Sequence, residues 1–339
     1  MIAVRSRGSR ALVALGLMAV FLVAFPFVMP LIGGDVSLAT RVLVLGLFGL
    51  GVDLIFGFTG LLSFGQAAFF GTGAVVTAYL LREHLVPNTL VGLALGTVAA
   101  AIAGIVVGSQ SLRQVGVYFA MLTIAFSQLF FFLENAPLKA FTGGESGLPN
   151  VPRAAIPLGF TTLDFSSALG TYAFIAIFFF LSYMLMRRII ASPYGAVLGA
   201  ILENPERAAA VGHDVLRYKL IAFTIAAAYA GLAGGLLGVF QGFVGPDAFS
   251  IDQSGQIIVM TVIGGAGTLV GPLVGAFIWL FLQSSLQSVD ALAGVWKLIL
   301  GIVFVLLITG FRRGVVGGII TFLRRRKKPL EADIATDAA

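Results

Sequence analysis

Runs of about 20 predominantly apolar residues recur along the chain, each long enough to cross a hydrocarbon core of about 30 Å as a helix. Backbone N–H and C=O groups cannot stay unpaired in lipid, so such runs fold as helices or as closed barrels. A barrel strand alternates apolar and polar residues with a period of two, and these runs do not. The fold class is therefore an all-α polytopic membrane protein. Composition agrees: 59% of the 339 residues are hydrophobic and 11% are charged, against about 25% charged in soluble domains.

The 21 Lys and Arg residues outnumber the 15 Asp and Glu, but no nucleic-acid partner follows. The basic residues lie between the apolar runs and at the two chain ends, the pattern of positive-inside membrane topology. The absence of Cys excludes disulfides and thiolate metal sites. The start, MIAVRSRGSR before an apolar run, resembles a signal peptide. That run continues to Ile32 without a small-x-small cleavage site, so it reads as an uncleaved first span.

Spans are expected at about Ala11–Ile32, Leu38–Phe58, a third ending near Leu81, Leu90–Gly108, Val115–Leu133, Leu169–Met186, Leu220–Phe240 and Val295–Thr309. Asp53 is an ionisable group inside the second span. It reads either as a snorkelling or locally hydrogen-bonded side chain or as a functional one. The glycine-dense stretch GFTGLLSFGQAAFFGTGA follows, where Ser63 and Gln66 need partners in lipid. They read as interhelical hydrogen bonds or as the lining of a solvated path, to which Gln128 is added as a candidate. Gly92, Gly96, Ala100, Gly104 and Gly108 put a small residue at every fourth position, as do Ala226, Ala230, Gly234, Gly238 and Gly242. Each stripe gives a flat helix face that a neighbour can approach closely. Residues 134–165 form a long external segment. Gly143, Gly144, Glu145 and Gly147 mark ordered turns there, and they are the candidates for external docking.

Residues 255–287 decide the parity. If they cross once, about 12 basic residues fall outside; if they enter and return, about 16 of the 21 are inside. The second count is preferred. Gly264, Gly265, Gly267 and Thr268 mark the break, giving a re-entrant hairpin or two short spans, and broken helices at depth tend to line cavities. The expectation is an even number of crossings, eight to ten, with both termini cytoplasmic.

The longest polar interruption is SPYGAVLGAILENPERAAAVGHDVLRYKL, residues 192–220. Within it a short helix is marked at both ends. Asn204 is an N-cap, Pro205 suits the first helical position, Glu206 lies in the first turn where the helix dipole favours it, and Gly212 ends the helix. No nucleotide-binding G-x-x-x-x-G-K-[ST] motif, voltage-sensor arginine ladder or intramembrane acid–base or metal set is present. His84 and His213 fall on opposite sides of the membrane. The spans suit passage of a small apolar or zwitterionic solute, with work received from elsewhere.

The segment Glu206, Arg207, Ala208, Ala209, Ala210, Val211, Gly212 resembles the cytoplasmic coupling motif of ABC-importer membrane subunits. ENPERAAAVGHDVLRYKLIAFTIAAAYAGLAGGLLG, GFTGLLSFGQAAFFGTGA, FTGGESGLPNVP and IGGAGTLVGPLVGA are similar to one family in particular. These are the permease subunits of branched-chain amino-acid (leucine/isoleucine/valine) ABC importers, of the M type. One departure is that Ile221-Ala222-Phe223-Thr224-Ile225 lacks the proline that many ABC permeases carry there. The resemblance implies a non-enzymatic transport subunit in a bacterial inner membrane, with no cofactor of its own. It implies as partners a sister permease, two cytoplasmic ATP-binding subunits and a periplasmic substrate-binding protein. Asn204, Pro205, Glu206, Arg207, Ala208, Ala209 and Gly212 would receive the ATPase. The organisation expected is a cytoplasmic N-terminus over 1–10 and a permease domain over 11–310 with a coupling loop at 187–217. A basic-then-acidic cytoplasmic tail follows over 311–339. Urea, short amides or another amino acid remain alternative solutes, and an ATP-independent facilitator or secondary carrier is the alternative of another class.

Overall fold

The computed structural model describes residues 2–152, 155–157, 162–164, 167–288, 296–310 and 314–318. Most of the tail expected over 311–339, and parts of the external segment after 152, lie outside the described residues, as do the side chains of residues 1–14. The chain is mostly helical. Its elements in order are α1 (Ile2–Val28), α2 (Val36–Phe56), α3 (Gln66–Arg82), α4 (Thr89–Ser111), α5 (Val117–Asn135), α6 (Lys139–Thr142), β1 (Leu148–Pro149), β2 (Ala155–Pro157), β3 (Thr162–Asp164), α7 (Ala168–Ile190), α8 (Pro193–Glu203), α9 (Pro205–Ala210), α10 (Val215–Gln241), β4 (Phe243–Val244), α11 (Ile251–Gly264), α12 (Gly271–Gln287) and α13 (Trp296–Gly310). Among the described residues, six helices are long and apolar enough to cross a membrane. They are α1, continued by a 3-10 turn to Ile32, and α2, α4, α5, α7 and α10.

Helix α2 is the centre of the fold, with 94% of its most apolar window buried. Small residues on two of its sides set how closely its neighbours come. Gly46 and Gly49 admit Leu273 and Pro272 of α12, and Gly51 admits Ala226 and Tyr229 of α10. Helix α10 in turn packs on α3 and α4. A methyl group at Gly73 would overlap Gly231, and one at Gly104 would overlap Ala227. Both small-residue stripes are thus packing faces: Gly92, Gly96, Ala100, Gly104 and Gly108 of α4 are all buried, against α3 and α10. With no gain from leaving water, membrane helices associate through such close contact and through hydrogen bonds. Tyr229 of α10 donates one to Ser182 O of α7 (2.8 Å), and Tyr172 of α7 donates one to Leu22 O of α1 (2.7 Å).

Two helices begin well inside the bundle. Phe70, one turn into α3, stacks on Phe48 near the middle of α2 (4.8 Å between ring centres). Ser254, in the first turn of α11, reaches the same level and binds Ala67. Residues 57–65 therefore return from the end of α2 to half its depth without helix. At the far end of α11 the break at 265–270 lies beside Gly57, and α12 runs back antiparallel to α2, its last turns reaching Asp35 and Arg41. The face that carries the C-terminal end of α2, with α8 and α9, is called the α9 face; the other carries the external segment. On that second face, β1 pairs antiparallel with β4 and β2 with β3. These two-residue and three-residue ladders add strand pairing to a segment expected to consist of turns.

Candidate functional site

At mid-depth a seam of hydroxyl groups completes the backbone where helices start inside the bundle. A helix start leaves its first N–H groups without intrahelical partners, which is costly away from water. Phe64 N–H donates to Thr123 Oγ1 (3.2 Å), Gly65 N–H to Ser63 Oγ (3.4 Å), and Ala67 N–H to Ser254 Oγ (2.9 Å). Gln66 Nε2 donates to Ser63 Oγ (3.3 Å), while Gln66 Oε1 is buried without a partner. Ser127 Oγ donates to Phe249 O (3.4 Å) and joins α5 to the same layer. Ser63 and Gln66 are thus brought together. Gln128 is not with them: it is exposed on the outer side of α5, beside Glu145, Asn135 and Pro246 at a surface cavity of about 460 Å³.

Toward the α9 face, the break between α11 and α12 holds Gly264, Gly265, Gly267 and Thr268. Thr268 Oγ1 donates to Gly265 O (2.6 Å), and Gly264 and Gly271 touch without side chains between them. Asp53 is buried in α2 and accepts from Gly267 N–H through Oδ1 (2.7 Å). Its Oδ2 has no partner. A snorkelling Asp53 is thereby corrected. The carboxylate points into the bundle and binds a backbone group 214 residues away, a pairing that local sequence cannot reveal.

The polar interruption folds as two helices. The expected short helix is present as α9. Asn204 Oδ1 accepts from Arg207 N–H (2.9 Å), closing the N-terminus. At the other end Gly212 N–H donates to Ala209 O (2.9 Å) and His213 N–H to Ala208 O (3.2 Å), which is a Schellman ending. It needs the positive φ of Gly212 (+100°). Ala208 is buried beneath the helix, while Pro205, Glu206, Arg207, Ala209 and Gly212 are exposed. Helix α8 went unread in the sequence, although Ser192-Pro193 repeats the signal of Asn204-Pro205. It buries Leu198 and Ile201. Tyr194 ties it to α10, donating to Tyr218 O (2.9 Å) with the two rings stacked 5.5 Å apart. Burial raises the Tyr194 hydroxyl pKa, so it stays a donor.

In the external segment, Gly143, Gly144 and Gly147 all have positive φ and are packed closely, Gly147 against the carbonyl of Val244. They shape the loop, and Glu145 among them is exposed. Sequence reasoning also placed Glu134 just beyond the fifth span. The structure puts it in the last turn of α5, 2% exposed, with neither carboxylate oxygen hydrogen-bonded.

The model of a family described as "Branched-chain amino acid transport system / permease component" matches residues 36–308. The chain is 29% identical over 290 residues to the high-affinity branched-chain amino acid transport system permease protein LivM of Salmonella typhimurium, covering 79% of this chain and 67% of that protein. It is 30% identical over 282 residues to LivM of Escherichia coli, covering 76% of this chain and 64% of that protein. It is also 31% identical over 121 residues to the probable permease protein LivH of Methanocaldococcus jannaschii, covering 36% of this chain and 37% of that protein. The chain thus spans about two thirds of the length of the LivM relatives. No solved structure matches it. The family match runs from α2 through the mid-depth seam, α9 and the break into α13, and the chain belongs to the branched-chain amino acid transport system permease family.

Proposed function

We propose that the chain is the membrane subunit of an ATP-driven importer for branched-chain or other hydrophobic amino acids, with the energy supplied by separate subunits through α9. The observation that carries this reading is α9 itself: a helix of six residues, capped at both ends, carried on α8, which is anchored by buried Leu198 and Ile201, and presenting Glu206 and Arg207 to solvent. A helix so short is not stable alone. Holding it rigid serves a load passed to α10 and α7, to which α8 is joined.

The α9 face is cytoplasmic in this proposal, and both chain ends lie on that side. The antiparallel course of α12 along α2 supports two crossings by residues 251–287 and an even total. The path runs past Ser63 and Gln66 and along the break at Gly264, Gly265, Gly267 and Thr268; Gln128 and Glu145 face the docking side. Similarity to both LivM and LivH supports a sister permease as partner. Two ATP-binding subunits and a substrate-binding protein complete the assembly in the bacterial inner membrane, and this chain binds no cofactor.

The test is leucine uptake and ATP hydrolysis by the complete assembly in proteoliposomes. Glu206→Ala removes the exposed carboxylate of α9, and Gly212→Pro forbids its ending. Both are expected to leave the chain inserted and ATP hydrolysis running while uptake falls at least about tenfold, through loss of a charge-assisted contact in the first and of the helix ending in the second. Undiminished uptake by both variants would remove α9 from the mechanism.

A further inference from the structure

On the face opposite α9 lies a cavity of about 230 Å³ between α2, α3, α10 and the start of α11. At water's share of about 30 Å³ per heavy atom, it holds a solute of about eight heavy atoms. Its lining is divided. Arg41, Asp247 and Gln253 are polar, whereas Phe70, Ala74 and Leu237 are apolar. Phe70 stacks on Phe48, seven residues along α2 from Arg41, so the apolar part lies about 10 Å deeper at 1.5 Å per residue. Arg41 and Asp247 border one cavity, yet among the described residues neither joins an ion pair. Both are exposed at the rim of the cavity, with no direct ion pair between them. Behind Asp247, and within electrostatic reach of it, stands the buried Glu134 with both oxygens unpartnered. Asp247 thus borders the cavity as a carboxylate outside any ion pair, with Glu134 behind it, and Arg41, which also borders a neighbouring cavity with Asp35, supplies a guanidinium outside any ion pair.

We propose that this cavity is a binding site for an α-amino acid zwitterion, with the carboxylate on Arg41, the ammonium group on Asp247, and the branched side chain on Phe70, Ala74 and Leu237. It rests on the transport reading above and adds to it a site within the permease itself. The guanidinium fork matches a carboxylate, and the separation of opposite charges selects a solute that carries both. A neutral solute such as urea would leave both ends unpaired.

The experiment is radiolabelled L-leucine binding to the purified full chain in lipid nanodiscs. Saturable binding is expected, displaced by L-valine but neither by leucinamide, which lacks the carboxylate, nor by isocaproate, which lacks the ammonium group. Arg41→Gln and Asp247→Asn should each weaken binding at least about tenfold, the effect of removing a charge-assisted hydrogen bond. Arg41→Lys, which keeps the charge but not the fork, should recover only part of it, and Glu83→Gln, on the same face, should stay within twofold of wild type. Absence of saturable binding by the wild-type chain, equal binding by the Gln and Asn variants, or displacement by leucinamide and isocaproate overturns the site. A chain that supports leucine uptake in the full assembly but fails here loses the site and keeps the transport reading. A chain that binds leucine with these dependences but supports no uptake does the reverse.

Discussion

Asp53 shows what one buried acceptor can hold together. Its Oδ1 takes the N–H of Gly267 at a point where the backbone is not helical and lies in contact with Gly57. Replacing it with Leu leaves that partly buried N–H without a partner, a cost of about 1 kcal/mol. Asp53→Leu is expected to lower the thermal midpoint of the detergent-solubilised protein. Asp53→Asn keeps an acceptor oxygen and removes an ionisable group from a buried position, so it should unfold at or above the wild-type midpoint. A Leu variant as stable as wild type would show that the break does not depend on α2. Asp53 was conspicuous in the sequence as an ionisable residue in a span, but its partner was not, because nothing local links residues 53 and 267. Arg41 and Asp247 were less conspicuous still. Each reads as a loop-side charge until α2, α3 and α10 fold around them.

Among the elements, the legible ones carry their own punctuation or their own periodicity. The bounds of α9 follow from Asn204-Pro205 and Gly212, and the buried faces of α4 and α10 follow from small residues at every fourth position. These signals are local and physical, so they survive folding. Helix α3 is the contrary case. Its start at Gln66 depends on hydroxyls of α5 and α11, which receive the N–H groups of residues 64 and 67. The glycine-dense stretch allowed a break there without fixing where the helix resumes. Paired strands between residues 148–149 and 243–244 were invisible for the same reason. The cap of α9 is testable alone. Asn204→Ala should cost about 1 kcal/mol locally, which speeds amide hydrogen exchange over residues 206–210 about fivefold. The global unfolding midpoint should not move, and unchanged exchange would mean that packing on Ala208 holds the helix without its cap.

For the molecule as a whole, the proposed orientation has a direct test because the chain contains no Cys. Single substitutions Ser6→Cys, Arg207→Cys and Ala335→Cys should be labelled by a membrane-impermeant maleimide only after the cell envelope is opened. Ser146→Cys should label from outside; labelling of Ser6→Cys and Ala335→Cys from opposite sides would exclude an even number of crossings. Burial is also uneven across the molecule: 94% of the apolar window of α2 is inside, against 22% for α5. The element that most needs neighbours is among the first to be made. Its contacts with α10, α11 and α12 come from residues translated much later, and Gly267 follows Asp53 by 214 positions. At roughly 5–20 residues per second, α2 waits on the order of 10–40 s in the membrane with its glycine faces open and its carboxylate unpaired. During synthesis its retention depends on hydropathy and on the helices made before α10, such as α3, whose Phe70 stacks on Phe48, and the translocon or an insertase is the natural shelter for that interval.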